Sequence, residues 1–265
     1  MRGRWPVVCL FAGAVAVAGL AAANDDPARS SAEDEAVARG PSGLAAGAEA
    51  SFPRATSSNP PLEAGPASPA AGRILTVLGE VARSVRVTRY QHNTVVRPRS
   101  GVFLWDCSGM AAWVVGRAAP AARAAIQSSR PVARDFFGAI ARAPVERPRR
   151  GWQRLERLAD ARPGDVFAWL RPPDWPRRNT GHVGFILEPP SPVPGLPGAW
   201  AVRISDATSI PHQADSRTWP GDGGFGVGTL MFMTDAGGAP THYGWHGTRA
   251  GFTAETRIVV GRVTR

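Results

Sequence analysis

Lysine is absent from this chain of 265 residues, so all 31 basic side chains are arginine, and cysteine occurs only twice, as Cys9 and Cys107. No recognisable nucleic-acid-binding motif accompanies the scattered arginines, which disfavours nucleic acid as a partner despite the formal net charge of +10. No internal repeat is present, so repeat architectures are excluded. The length fits one domain of ordinary size with tails, or at most two small domains.

The N-terminus has the pattern of an export signal. Arg2 and Arg4 precede an apolar run, residues 7–23, that ends in three small alanines. We therefore predict a signal peptide over residues 1–23 and a secreted or periplasmic location. A retained anchor is the alternative, because the run is about as long as the shortest membrane spans. The polar residues 24–26 follow at once, which favours cleavage and no stable membrane insertion afterwards.

Residues 24–72 are rich in alanine, proline, serine and acidic residues and contain almost no large apolar side chains. Such a segment cannot bury enough surface to offset its ordering entropy, which predicts a disordered linker. Its 3 arginines and 7 acidic residues give it a charge of −4, whereas residues 73–265 carry +12. A basic domain favours anionic partners, here peptidoglycan or another anionic cell-wall polymer.

Residues 73–265 are predicted to form one catalytic domain with helices first and strands afterwards. Apolar side chains recur at helical spacing over residues 74–85, 110–115, 132–142 and 152–159, and residues 90–101 are predicted to be a polar loop. Strands are predicted over residues 166–170, 182–187, 200–206, 228–233 and 258–263. This order predicts an α+β fold in which a cysteine-bearing helix packs on an antiparallel sheet of five to six strands.

Cys107 is the one cysteine left after signal cleavage, so it cannot form an internal disulfide. It lies where a loop enters a helix, and unpaired N–H groups at a helix N-terminus lower a thiol pKa and stabilise an oxyanion. Asp106 can cap that helix, and Gly109 is expected to let substrate approach the backbone. A buried structural cysteine is the alternative, but the flanking Asp106 and Ser108 favour a reactive thiol.

His182 and Asp206 are the candidate partners of this thiol. His182 opens an apolar strand between Gly181 and Gly184, whereas the other four histidines lack such a setting. Asp206 shares a face with Val202 and Ile204 at the end of the next strand and could accept a hydrogen bond from the His182 ring. A turn-starting aspartate is the alternative for Asp206, and His212 is the competing third group. No Cys-x-x-Cys or His-x-x-x-His spacing supports a metal site built from Cys107, His182 and Asp206.

These motifs, in their order along residues 73–210, resemble the NlpC-type family of papain-like cysteine peptidases, which cut stem peptides of the bacterial cell wall. The matching features are Tyr90, the run Asp-Cys-Ser-Gly at residues 106–109, Arg-Pro-Gly-Asp at 162–165 before a strand, and Gly-His-Val-Gly at 181–184. The resemblance implies a papain-like fold. It also implies Cys107 as nucleophile, His182 as base and a polar third residue where Asp206 stands, although this residue is more often histidine in the family.

The resemblance also implies that Tyr90 lies beside the nucleophile and helps to bind or polarise substrate, and we assign Ser108 to the same substrate and oxyanion group. The predicted function is therefore an exported cysteine hydrolase that cleaves amide bonds by a Cys-His-Asp triad, with peptidoglycan peptides as the substrate and without a cofactor. The alternatives are an amidase or acyltransferase acting on another substrate, and a binding module that keeps the fold without turnover.

Overall fold

The computed structural model of the protein describes residues 65–173, 175, 179–246 and 251–265. The predicted signal peptide 1–23 and the predicted linker up to residue 64 lie outside the described residues. Within the described part of the chain, no helix has both the length and the apolar character needed to cross a membrane.

Four helices precede most of the strands. They are α1 (Pro69–Ser84), α2 (Cys107–Ala118), α3 (Pro120–Ala125) and α4 (Ala133–Ala141). Helix α1 begins four residues before Arg73, the predicted start of the domain, because Ser68 caps it and accepts the Ala71 N–H at 2.9 Å. Ala70 and Ala71 are fully buried. The last residues of the predicted linker therefore belong to the folded unit.

Twelve strands are described, and they form a large antiparallel sheet and a small mixed one. The strands are β1 (Val87–Tyr90), β2 (Val95–Arg97), β3 (Val102–Trp105), β4 (Trp152–Leu155), β5 (Val166–Leu170), β6 (Gly181–Ile186), β7 (Ser191–Pro192), β8 (Ala199–Thr208), β9 (Gly224–Thr234), β10 (Pro240–His246), β11 (Gly251–Glu255) and β12 (Ile258–Val263). The small sheet has the order β1-β3-β2, with β1 parallel to β3. The large sheet has the order β11-β10-β9-β8-β6-β5-β12-β4, and β7 pairs with β8.

The protein is thus α+β with a large antiparallel sheet and few helices. The predicted count of five to six strands is wrong, because the large sheet has nine. The helix predicted over residues 152–159 is also wrong: Trp152–Leu155 pair with β12, and a 3₁₀ turn follows at Leu158–Asp160. Sheet pairing, which a short apolar pattern cannot report, overrides the local helical spacing there.

The predicted loop over residues 90–101 is likewise corrected. It contains β2 and a 3₁₀ turn at Pro98–Ser100. Strand β2 pairs with β3, which ends at Trp105, two residues before Cys107. The chain therefore enters α2 from a paired strand.

The large sheet separates two hydrophobic cores. On one face the helices pack against Val183 and Phe185 of β6. The other face buries a second cluster that includes Phe167, Trp169 and Ile204. Adjacent residues of a strand point to opposite faces, so β6 and β8 contribute to both cores.

The cap at Ser68 provides a test of where the folded unit begins. Its hydroxyl accepts the Ala71 N–H and donates to the Val263 carbonyl of the last strand. Ser68→Ala should lower the free energy of unfolding by about 1 kcal/mol, as expected for loss of an N-cap. Urea denaturation would measure this change. The control is Thr76→Ala on the exposed face of α1, which should alter stability by less than about 0.5 kcal/mol. Equal effects of the two variants would contradict the role of Ser68.

Candidate active site

Cys107 is the first residue of α2, and Asp106 caps the helix in front of it. The Asp106 carboxylate accepts the Gly109 N–H at 2.7 Å and the Ser108 hydroxyl at 2.9 Å. The Asp106 carbonyl accepts the Met110 N–H at 3.0 Å. These contacts do not use the N–H groups of Cys107 and Ser108, which lie at the positive end of the helix dipole.

Gly109 has a role in packing. A side-chain carbon at this position would lie 2.2 Å from the hydroxyl oxygen of Thr94. The glycine is therefore required for close packing of the β1–β2 loop on the start of α2. This contact with Thr94 explains why residue 109 is a glycine, and no local sequence pattern could have predicted it.

The sulfur of Cys107 lies near the point where β6 and β8 separate. The two strands pair only at Phe185–Ser205 and Ile186–Ile204, whereas β6 continues beside β5 as far as Gly181. Alternation along β6 directs the N–H of Val183 toward the β8 side, where it lies close enough to the Cys107 sulfur to favour the thiolate form. The thiol is therefore close to the backbone of the residue that follows His182.

His182 and Asp206 are in direct contact. The Nε2 atom of His182 lies 2.7 Å from Oδ2 of Asp206, and both side chains are buried. Because an ionised carboxylate only accepts hydrogen bonds, Nε2 must carry the proton. In the neutral ring, Nδ1 is then the basic nitrogen. The register that places Asp206 on the same face as Val202 and Ile204 also brings it to the His182 ring.

Two further residues bind the same carboxylate: His212, the competing third group, and Arg217, which the sequence does not identify as part of a site. His212 Nε2 lies 2.7 Å from Oδ2, and Arg217 Nη2 lies 2.8 Å from Oδ1. His212 follows β8 in a loop, as expected, but it is only 2% exposed. Burial disfavours ionisation of Asp206, but its interactions with His212, Arg217 and His182 outweigh it and hold the pKa of Asp206 well below its usual range.

The loop that carries His212 and Arg217 is organised by Asp215. Its carboxylate accepts the backbone N–H of His212 and of Arg217, each at 2.7 Å, and the Arg217 Nε at 2.8 Å. Arg217 also donates to the carbonyl of Gly224 at 2.9 Å. Asp-x-Arg at residues 215–217 is the only signal that could have indicated this arrangement, and it gives no reason to place the pair beside Asp206.

Aromatic rings cover one side of the His182–Asp206 pair. The ring centroid of Trp169 lies 4.8 Å from that of His182, and Tyr243 stacks on the indole at 4.3 Å. The Phe167 ring is 6.1 Å from the imidazole. Apolar rings limit the access of water to the hydrogen bond and thereby strengthen it.

The expectation that the helix N-terminus lowers the thiol pKa is wrong for the resting protein. Cys107 is only 7% exposed. Its burial, together with the negative charges of Asp106 and Asp206, raises the pKa of the Cys107 thiol well above its usual range. The N–H groups of Val183 and Ser108 act in the opposite direction and are outweighed. The thiol is therefore protonated at neutral pH.

Tyr90 and Ser108, the two residues assigned to substrate and oxyanion binding, have different settings. Tyr90 is half-buried, its backbone pairs beside Trp105 in β3, and its ring contacts His92 at 5.8 Å between centroids. His92 in turn lies 3.1 Å from Asp106. The Ser108 hydroxyl is engaged by Asp106, so only its backbone N–H remains for the assigned oxyanion role.

His182, Asp206 and His212 include residue types that bind transition metals, and their candidate ligand atoms lie within 4.8 Å of one another. Their 2.7 Å contacts are hydrogen bonds, however, and Arg217 already supplies a cation to Asp206. The arrangement therefore acts as a network of proton donors around one carboxylate.

Comparison with known proteins adds no further assignment, because no family model, no curated protein and no solved structure matches this chain.

Proposed function

We propose that this protein is an exported cysteine hydrolase of papain-like fold that cleaves amide bonds, with Cys107 as nucleophile and His182 as base. One observation carries the proposal: the Cys107 sulfur, at the start of α2, lies close to the N–H of Val183, and the adjacent His182 is hydrogen-bonded to Asp206 at 2.7 Å. A nucleophile, a base and an orienting group in this order form a catalytic triad.

Acyl transfer begins when His182 Nδ1 takes the proton of the Cys107 thiol. The sulfur attacks the substrate carbonyl, and the N–H groups of Cys107 and Ser108 stabilise the oxyanion. The imidazolium then donates its proton to the leaving amine, which leaves a thioester on Cys107. His182 next takes a proton from water, the hydroxide attacks the thioester, and the acid product departs as the thiol is restored.

The raised pKa of the Cys107 thiol determines when its proton is transferred to His182. A resting thiolate would have to be stable in a buried site beside two carboxylates, Asp106 and Asp206. Proton transfer to His182 is therefore expected to accompany attack on the bound substrate. Asp206 keeps the proton of His182 on Nε2 and stabilises the imidazolium once it forms.

Peptidoglycan stem peptides are the proposed substrate. The resemblance of residues 73–210 to NlpC-type peptidases, the predicted export signal and the charge of +12 over residues 73–265 support this choice. An amidase or acyltransferase on another substrate would use the same triad.

A binding module without turnover is the second candidate. The burial of Cys107 and the raised pKa of its thiol favour it, because both make the sulfur unreactive in the resting state. Slow alkylation at neutral pH is expected under either candidate. Turnover therefore has to distinguish them.

Cys107→Ala should abolish the release of peptides from purified peptidoglycan, as measured by mass spectrometry of the soluble fragments. The melting temperature should change little, because a small side chain at a helix start contributes little packing. The control is Thr76→Ala on the exposed face of α1, which should leave turnover unchanged. An active Cys107→Ala protein would rule out the cysteine-hydrolase proposal. An inactive wild-type protein would favour the binding module.

Asp106→Asn tests the electrostatic origin of the raised thiol pKa. Asparagine caps helices as well as aspartate does but carries no charge, so the fold should be kept while the pKa of Cys107 falls. The alkylation rate with iodoacetamide, followed from pH 7 to 10, should rise at lower pH than in the wild type. Asp222→Asn, which removes an exposed carboxylate paired with Arg89, is the control. Superimposable profiles for Asp106→Asn and wild type would show that the Asp106 charge does not control the thiol.

Tyr90→Phe tests the substrate role of the tyrosine. If its hydroxyl helps to bind substrate or the oxyanion, turnover should fall by roughly 10²-fold, the cost of one such donor in comparable enzymes. The melting temperature should be unchanged, since the ring is retained. A loss smaller than threefold in kcat/KM would assign Tyr90 to packing alone.

A further inference from the structure

We infer that Arg217 is a positioning residue that holds Asp206 ionised and fixed in orientation, so that one carboxylate oxygen can accept hydrogen bonds from both His182 and His212. The inference rests on the proposed function, because it concerns the pair that would act on Cys107. It assigns a role to the loop after β8, which carries Arg217 and follows the three predicted triad residues in the sequence.

Arg217 has the contacts of a rigid clamp. Its side chain is only 4% exposed, and it donates to Asp206, to Asp215 and to the Gly224 carbonyl at 2.8–2.9 Å. A planar guanidinium bound on three sides cannot rotate without losing several charge-assisted hydrogen bonds. The contact with Oδ1 therefore fixes which oxygen of Asp206 faces the histidines.

His212 secures the other oxygen. Its Nε2 and that of His182 are both 2.7 Å from Oδ2 of Asp206, so both rings must donate from Nε2. With Oδ1 held by Arg217 and Oδ2 held by His212, the carboxylate cannot turn away when His182 loses or gains a proton. The basic nitrogen of His182 is thereby kept as Nδ1.

The charges around Asp206 also require Arg217. The groups that face the carboxylate are His182, His212 and Arg217, with Asp215 behind the guanidinium and Cys107 within electrostatic range. Two carboxylates and one guanidinium leave a net charge of about −1, enough to stabilise an imidazolium.

Without Arg217 the same group of charges would carry about −2. The extra negative charge would make this group of residues as a whole take up a proton at higher pH, and the base would then be lost. The acid limb of the pH profile of kcat/KM should therefore move upward when the guanidinium is removed.

The test compares Arg217→Gln and Arg217→Lys with a control, Arg157→Gln, which removes an exposed arginine paired with Asp160. For Arg217→Gln we expect at least a tenfold loss of kcat/KM and an upward shift of the acid limb by about one pH unit. Arg217→Lys keeps the positive charge but loses the planar set of N–H donors of the guanidinium. It should shift the limb less while still lowering kcat/KM. Arg157→Gln should match the wild type.

A folded Arg217→Gln protein with wild-type kcat/KM and pH profile would overturn the inference. If Arg217→Gln does not fold, the same outcome in Arg217→Lys overturns it. Titration of the His182 ring protons by NMR, assigned with His182→Gln, keeps the test independent of turnover. If Cys107→Ala proves fully active, the proposed function fails. The role of Arg217 is overturned separately, by an unchanged titration of His182 in the Arg217 variants.

Discussion

The buried carboxylate of Asp206 is the constraint on which the site depends. A charge removed from water must be paired and hydrogen-bonded, or it destabilises the fold by several kcal/mol in measured cases, about 3–5 for a broken pair. Here His182, His212 and Arg217 together occupy both oxygens. The end of β8, the start of β6 and the loop that follows β8 are therefore tied to one group. Any rearrangement of the three segments would leave an unpaired charge.

The same negative charge has opposite effects on the two side chains that we propose to react. It orients and would stabilise a protonated His182, but together with burial and Asp106 it raises the pKa of the Cys107 thiol. The partial positive charge at the start of α2 is too weak to reverse this. The resting site consequently combines a neutral thiol with an oriented imidazole. Such a site resists oxidation, because the thiolate is the form that reacts.

Local sequence patterns predict the parts of this site that depend on a single element. A polar Asp-Cys-Ser-Gly run predicted the helix start at Cys107, and strand alternation predicted that Asp206 shares a face with Ile204 and could meet His182. What the sequence could not predict arises from tertiary packing. Nothing local shows that the loop after β8 folds back to bring Arg217 to Asp206, or that β4 pairs with β12 instead of forming a helix. The strand count was underestimated for the same reason, because β10 and β11 gain their order from pairing with β9 and with each other.

A covalent thioester on Cys107 is the central claim of this account, and trapping it is the most direct test. Wild-type protein would be mixed with a peptidoglycan stem peptide, quenched in acid within the first turnovers, digested and mapped by mass spectrometry. The account predicts an acyl group on the peptide that contains Cys107, released by hydroxylamine and absent from Cys107→Ala. Its amount should increase in Asp206→Asn if that variant slows hydrolysis of the thioester more than its formation. Rapid peptide cleavage with no acylated Cys107 at any quench time, and with full activity in Cys107→Ala, would contradict the account.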